Sequence, residues 1–349
     1  MKKTFIACGA ALACLSAAHA QSNVQVTGLA DAYVGSMKLA GQERTNQVGS
    51  GGMTTSWWGV QGTEDLGSGL KVGFNLGAFF RLDEGTPGRF NGDTFFARDA
   101  NVWLGGNFGT VRLGRSMAPN FLPTILFNPF GDSFTVSPLV LHGNTPWPSF
   151  AQDYRTTAAD TGWSNQITYT TPKFGGLTAN VHYQFGEKAE ANSKKNVAAN
   201  LLYQQGALGL TAFIERAQVN NPSLALLPYT KQNWMLGGSY DLSVAKLFAT
   251  YGQSKNRNSD TYEGKTFSLG VDVPVTKAGS IKAAFAQTKV EARAVNGGPL
   301  VFDGKRSTTS IGYDHNLSKR TDVYGVVMND RVTGLKSGTS VIAGIRHRF

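Results

Sequence analysis

A period of two constrains this chain more than any other feature. Segments of about ten residues alternate apolar and polar side chains, and turns separate them. From Leu177 the odd positions read Leu177, Ala179, Val181, Tyr183 and Phe185, and the even positions Thr178, Asn180, His182 and Gln184. Farther on, Phe267, Leu269, Val271 and Val273 oppose Ser268, Gly270 and Asp272. At the end Val341, Ala343, Ile345 and Phe349 share a face with His347, against Ser340, Gly344, Arg346 and Arg348. Successive side chains of a strand point to opposite faces, so each segment presents one face to an apolar medium and one to water. Helical periods and helix caps are missing. A soluble sandwich also alternates, but its core needs covering strands of matching pattern.

The links between the segments come in two lengths. Short ones are 65–69, 107–109, 172–176, 206–208 and 317–319; longer polar ones are 36–52, 82–93, 117–161, 220–230, 256–262 and 292–304. Short and long links alternate, as in transmembrane barrels with tight turns at one end and loops at the other. The pattern predicts strands at 23–35, 53–64, 70–81, 94–106, 110–116, 162–171, 177–187, 195–205, 209–219, 231–242, 245–255, 263–274, 279–291, 305–315, 321–331 and 338–349. That is an all-β, sixteen-stranded antiparallel transmembrane barrel, a size that leaves an aqueous channel.

The first residues support export. Lys2 and Lys3 precede the apolar stretch Phe5–Ala18, and Ala18-His19-Ala20 forms a small-residue cleavage site. The stretch is too short to span a bilayer as a helix, and the three parts together read as a secretory signal peptide over 1–20, leaving 21–349 as the barrel. Both cysteines, Cys8 and Cys14, fall inside it, so the mature chain has no thiol, which suits an oxidising compartment. A lipoprotein reading would modify Cys14; the cleavage site explains the segment without it. The formal net charge of +10 falls by two when Lys2 and Lys3 leave. The remaining charges are scattered, which speaks against a nucleic-acid surface and for a pore that favours anions.

Residues 117–161 form the odd link. They hold Pro119, Pro123, Pro129, Pro138, Pro146 and Pro148, half of the twelve prolines, with Phe121, Phe127, Phe130, Phe134, Trp147 and Phe150. A loop this long is functional or disordered, and its aromatics argue for order. It packs on something: either folded into the barrel, the favoured reading, or capping it from outside.

Certain motifs bear a resemblance. The start Val24-Gln25-Val26-Thr27-Gly28-Leu29-Ala30-Asp31 is one. Others are Gly59-Val60-Gln61-Gly62-Thr63-Glu64-Asp65-Leu66-Gly67-Ser68-Gly69-Leu70-Lys71, Phe108-Gly109-Thr110-Val111-Arg112-Leu113-Gly114-Arg115, Leu317-Ser318-Lys319-Arg320-Thr321 and the ending Gly344-Ile345-Arg346-His347-Arg348-Phe349. With these the chain resembles the Gram-negative trimeric general porins, in the branch with anion-selective members, over essentially the whole mature length. The resemblance implies a homotrimer in the outer membrane with one pore per subunit and the third loop, 117–161, inside it. It also implies passage of small hydrophilic solutes and anions, contact with outer-membrane lipid, and Phe349 as the signal read by the outer-membrane assembly machinery.

It further implies a constriction in which basic wall residues oppose the loop. Arg98, in Phe96-Ala97-Arg98-Asp99-Ala100, matches the family's wall arginine, the favoured reading, or else partners Asp99 or another acid; Arg81 is a weaker candidate, and Arg115 either joins the constriction or anchors the loop backbone. Asp132, among the loop acids Asp132, Asp153 and Asp160, stands where a loop tip meets the opening, or is an ordinary turn residue. Trp57 in Ser56-Trp57-Trp58 and Gly162 in Gly162-Trp163-Ser164-Asn165 stand where arginines are usual. Trp57 either lines the pore or, the favoured reading, packs under the loop or at the lipid boundary. Arg346 and Arg348 are expected in the lumen at the periplasmic end. No metal set, cofactor motif or catalytic His cluster is present in the sequence, so no enzyme is expected. The competing function is a substrate-specific channel for sugars or aromatic acids.

Overall fold

The computed structural model describes residues 23–144, 161–187, 195–219, 229–256, 262–293 and 298–349. The expected signal peptide lies outside them, as do residues 145–160 of the long loop with Asp153 and Asp160. The strands are β1 (Asn23–Met37), β2 (Trp57–Gly67), β3 (Leu70–Arg81), β4 (Asp99–Gly106), β5 (Gly109–Met117), β6 (Gly162–Thr170), β7 (Leu177–Gln184) and β8 (Asn196–Gln205). They continue as β9 (Leu208–Val219), β10 (Tyr229–Asp241), β11 (Lys246–Asn256), β12 (Tyr262–Pro274), β13 (Gly279–Arg293), β14 (Leu300–Asn316), β15 (Thr321–Val332) and β16 (Gly338–Arg348). Each pairs antiparallel with its neighbours in sequence. β1 meets β16 from Leu29 opposite Arg348 to Ser36 opposite Val341, which closes a sixteen-stranded barrel. Closure satisfies every strand edge, the condition for crossing a bilayer with strands.

The alternation sorts the two faces. Leu269 is 55% exposed and Ile311 56%, whereas Ser268 and Ser310, one residue away, are 3% and 0% exposed. The apolar row faces lipid; the hydroxyl row faces inward and is covered there. Short turns follow β2, β4, β8, β10, β12 and β14, and longer links follow β1, β3, β5, β7, β9 and β13, so both described ends lie at the short-turn end.

The second position departs from the pattern. Alternation predicts one strand at 53–64, but two pieces share that place: Thr45–Ser50 lies beside the outer half of β1, and β2 lies beside its other half. Residues 51–56 between them leave the wall toward the interior. Tyr324 on β15 fills the space beside them, where a Cβ on Gly52 or Gly344 would collide with its ring or hydroxyl. The fourth strand starts at Asp99 rather than at 94, so Phe95, Phe96 and Arg98 belong to a link, not to a ladder.

Candidate pore constriction

The interior is organised around one buried carboxylate. On β1 the inward row is Leu29, Asp31 and Tyr33, all buried. Asp31 accepts the backbone N–H groups of Gly52 at 3.2 Å, Met53 at 2.8 Å and Thr54 at 2.8 Å, and the Tyr324 hydroxyl also donates to it. A carboxylate out of water needs such donors, and here they hold residues 51–54 in their inward course. Thr54 then links three elements: its hydroxyl donates to Asp132 Oδ1 at 2.9 Å and accepts from an Arg346 terminal nitrogen at 2.8 Å.

Asp132 belongs to the third loop, whose helices are α1 (Phe121–Leu126) and α2 (Pro138–Asn144). Ser133 donates to the Gly52 carbonyl at 2.7 Å and Thr135 to that of Gly51 at 2.8 Å. Elsewhere, Asn200 on β8 donates to the Pro119 carbonyl at 2.8 Å and Ser310 on β14 to the Val136 carbonyl at 2.6 Å. Phe130 and Val136 pack with Tyr33, Met53, Tyr324, Val326 and Ile342 in one apolar cluster. These partners sit on inward faces, so residues 118–144 lie against the inside of the barrel wall.

His142 on α2 fixes the far end. Its Nδ1 is 2.7 Å from Thr288 Oγ1 and its Nε2 is 2.9 Å from Thr308 Oγ1. Thr308 donates its own proton to Asp330 Oδ1 at 2.6 Å, so Nε2–H donates to Thr308 and Nδ1 accepts from Thr288. Burial, with the Arg306 charge nearby, holds the ring well below the ordinary histidine range, and the neutral ring has the one donor and one acceptor that this arrangement uses.

The expected basic residues have separate surroundings. Arg98 precedes β4; its backbone N–H donates to the Gly77 carbonyl at 3.2 Å, its guanidinium lies 3.7 Å over the Trp57 ring, and it also bonds Asp99. Trp57 pairs with Leu29 and Phe79, which places it on the inward face; its neighbour Trp58 is the lipid-side residue, 39% exposed. Hence Trp57 does not sit at the lipid boundary, one of the two places that the favoured expectation allowed. Arg81 donates to Asn91 Oδ1 at 2.7 Å and pairs with Glu84 at 3.0 Å in the outer link. Arg115 is buried: Nε donates to the Ala97 carbonyl at 2.6 Å and a terminal nitrogen to Ser164 Oγ at 2.9 Å. Arg115 is thus a buried pin between the link before β4 and the start of β6.

Arg346 and Arg348 point inward together. Arg346 Nε reaches Asp322 at 3.1 Å and a terminal nitrogen reaches Asp314 at 3.7 Å; Arg348 bonds Asp322 Oδ1 at 2.8 Å. Both charges are matched by carboxylates, and through Thr54 Arg346 also reaches the loop. Phe349 exchanges backbone hydrogen bonds with Gly28, 3.0 Å each way, and leaves its ring 47% exposed.

Sequence reasoning missed Arg112. It faces Trp103 across the β4–β5 ladder, on the row opposite to the lipid-facing Val102 and Leu113. The signal was present, since Arg112 alternates with Val111 and Leu113. Asp31, Asp314 and Asp322 were likewise passed over, the last two standing at strand ends among polar neighbours.

A family model described as Gram-negative porin matches residues 7–335. The chain is a Gram-negative porin. It is 34% identical to "Outer membrane porin protein 32" of Delftia acidovorans, with all of both chains covered. It is 24% identical to an outer membrane porin protein of Bordetella pertussis, again over the whole of both. Among solved structures it is similar to an anion-selective porin from Comamonas acidovorans, with a TM-score of 0.78 at 29% identity, covering 94% of this chain and all of that one. The outer membrane protein OmpT of Vibrio cholerae shares the fold, with a TM-score of 0.69 at 14% identity, covering 94% of this chain and 98% of that one. The porin is thus an outer-membrane β-barrel.

In this porin, Asp99 on β4 and Arg112 on β5 lie on inward rows, Arg98 stacks on the inward Trp57, and Asp132 stands on the loop beside Thr54. Burial raises the Asp132 carboxyl above the usual carboxylate range; the Thr54 hydroxyl and the charges of Arg346 and Arg98 offset this only in part. The loop acid is therefore easier to neutralise than a free aspartate.

Proposed function

We propose that the porin is a homotrimeric general diffusion channel for small hydrophilic solutes, narrowed by its third loop and mildly anion-preferring. One observation carries this reading: residues 118–144 are hydrogen-bonded to inward groups, from the Asn200 side-chain amide on one side to the Gly51 and Gly52 carbonyls on the other. A segment fastened there subtracts from the cross-section open to ions. Arg98 and Arg112 on the wall supply fixed positive charge, and in a narrow channel fixed charge acts strongly on passing ions. The relatives' descriptions agree with an anion preference and, in a trimer form of the Vibrio cholerae OmpT, with threefold assembly. Excising part of 121–144 tests the loop's role: single-channel conductance rises, whereas unchanged conductance in a folded variant places the resistance elsewhere.

A second reading has its own observation. Trp57 with the Arg98 guanidinium stacked on it offers a flat cationic surface suited to aromatic acids. A substrate-specific channel for such acids would show saturable block of ion current by an aromatic carboxylate; a general pore passes it without saturation.

A further inference from the structure

On the lipid side of the barrel, near its outer end, the strand register makes an unusual row. Lys265 on β12 stands opposite Lys289 on β13, and Lys289 stands opposite Lys305 on β14. Three like charges directly across from one another repel and destabilise a sheet. Two residues farther out, Glu263 faces Glu291 and Glu291 faces Asp303, a second row of like charge. The rows compensate partly: Lys265 reaches Glu263 at 3.0 Å and Lys289 reaches Glu291 at 2.9 Å. Both pairs are exposed, and exposed pairs are worth little, so an outside anion can displace them. Lys255, opposite Glu263, and Arg331 on β15 extend the patch, giving five cations to three carboxylates.

The depth of the row is set by aromatic residues. Tyr251 pairs with Phe267, Trp234 lies edge-on to Tyr251 with ring centres 5.7 Å apart, and Phe267 meets Phe285 at 5.6 Å. Such outward-facing aromatics mark the membrane–water boundary of a barrel. Lys265 is two residues beyond Phe267, about 7 Å along the strand. The lysine row therefore stands at the height of the headgroups of the outer leaflet.

We propose that Lys265, Lys289 and Lys305 form a binding site on the lipid-facing wall for the phosphate groups of an outer-leaflet lipid. Charge complementarity selects the occupant. A row of ammonium groups with apolar wall below it fits a molecule with phosphates at its head and acyl chains beneath. A second barrel would have to bring an acidic strip to the same height. The phosphates relieve the repulsion within the row, which gives the like-charge register a purpose that packing does not supply.

The test uses the assembled protein and lipid A carrying two phosphates, with its dephosphorylated form and inorganic phosphate as comparison probes. Lysines near an anionic lipid surface contribute roughly fivefold each to affinity, so K265Q/K289Q/K305Q is expected to bind the phosphorylated lipid about a hundredfold more weakly. The native protein is expected to hold the dephosphorylated lipid no better than the variant does. The row lies outside the lumen, so unchanged single-channel conductance certifies that the variant is folded. Where the triple variant fails to assemble, acetylation of the native protein replaces it: the three lysines are protected by the phosphorylated lipid. Equal lipid binding by native and variant protein overturns the proposal. So does protection by inorganic phosphate alone, which would make the row a free-anion site, or loss of subunit association without loss of lipid, which would make it a subunit contact.

Discussion

Replacing Arg98 by serine isolates one fixed charge of the proposed constriction. Its guanidinium rests 3.7 Å over Trp57 and is bonded to Asp99, so its place is held from two sides. For an ion passing at roughly 6 Å through water, a unit charge contributes about 0.7 kcal/mol. Salt at 0.1 M, with a screening length near 10 Å, reduces this to about 0.4 kcal/mol. The charge attracts chloride and repels potassium equally, so the permeability ratio moves by twice that, about 0.8 kcal/mol or roughly fourfold. Asp99 does not cancel the effect, because fields add and the carboxylate is present before and after the substitution. Arg98→Ser is thus expected to lower the chloride-to-potassium ratio about fourfold, and Asp99→Asn to raise it by a similar factor. Reversal potentials under a salt gradient, repeated at 1 M salt where screening shrinks both effects, measure this. No change in either variant would show that the pair lies away from the ion path, and a shift independent of salt would refute the electrostatic account.

Three further outcomes are expected. Trp57→Arg raises the chloride preference, by the same fourfold order, and because the new guanidinium falls close to Arg98 it also lowers the melting temperature; a higher preference with no loss of stability would mean that Arg98 moves away freely. Burial holds the Asp132 carboxyl above the ordinary aspartate range, so on acidification it is protonated before an ordinary aspartate and the lumen loses a negative charge. Chloride preference therefore grows as pH falls toward that raised pKa, and in Asp132→Asn this component is absent; an identical pH profile in both proteins would assign it elsewhere. Deleting Phe349 leaves secretion intact and impairs arrival in the outer membrane, measured by fractionation, and normal yield of the truncated barrel would reduce Phe349 to a packing residue.

How much of this was legible depended on whether a residue's surroundings are local. The faces of Leu177–Gln184 and of Phe267–Val273 follow from the two-residue period alone, and the structure keeps them. The break in the second strand was not legible, because residues 51–56 are held by Asp31, some twenty positions away, and by Tyr324 on the far side of the chain. The face of Trp57 is decided by its pairing with Leu29, a register that alternation within 53–64 leaves open. Parity failed at Arg98 for a different reason: residues 94–98 are not strand, so the period does not reach it. Arg115 was ambiguous because the β5–β6 register shifts between Gly114 and Ser116, which turns its side chain into the wall. Arg112 was readable from its place between Val111 and Leu113. The loop's apolar composition indicated packing, while the particular anchors, Thr288, Thr308 and Ser310, are inward hydroxyls with nothing local to distinguish them.

The most direct measurement of the central claim is the reversal potential of the unmodified porin in a planar bilayer under a potassium chloride gradient, recorded with its single-channel conductance. An ohmic, water-filled pore with modest chloride preference is the predicted result. Preference for potassium would contradict the account, since Arg98 and Arg112 would then not govern the opening that the third loop narrows.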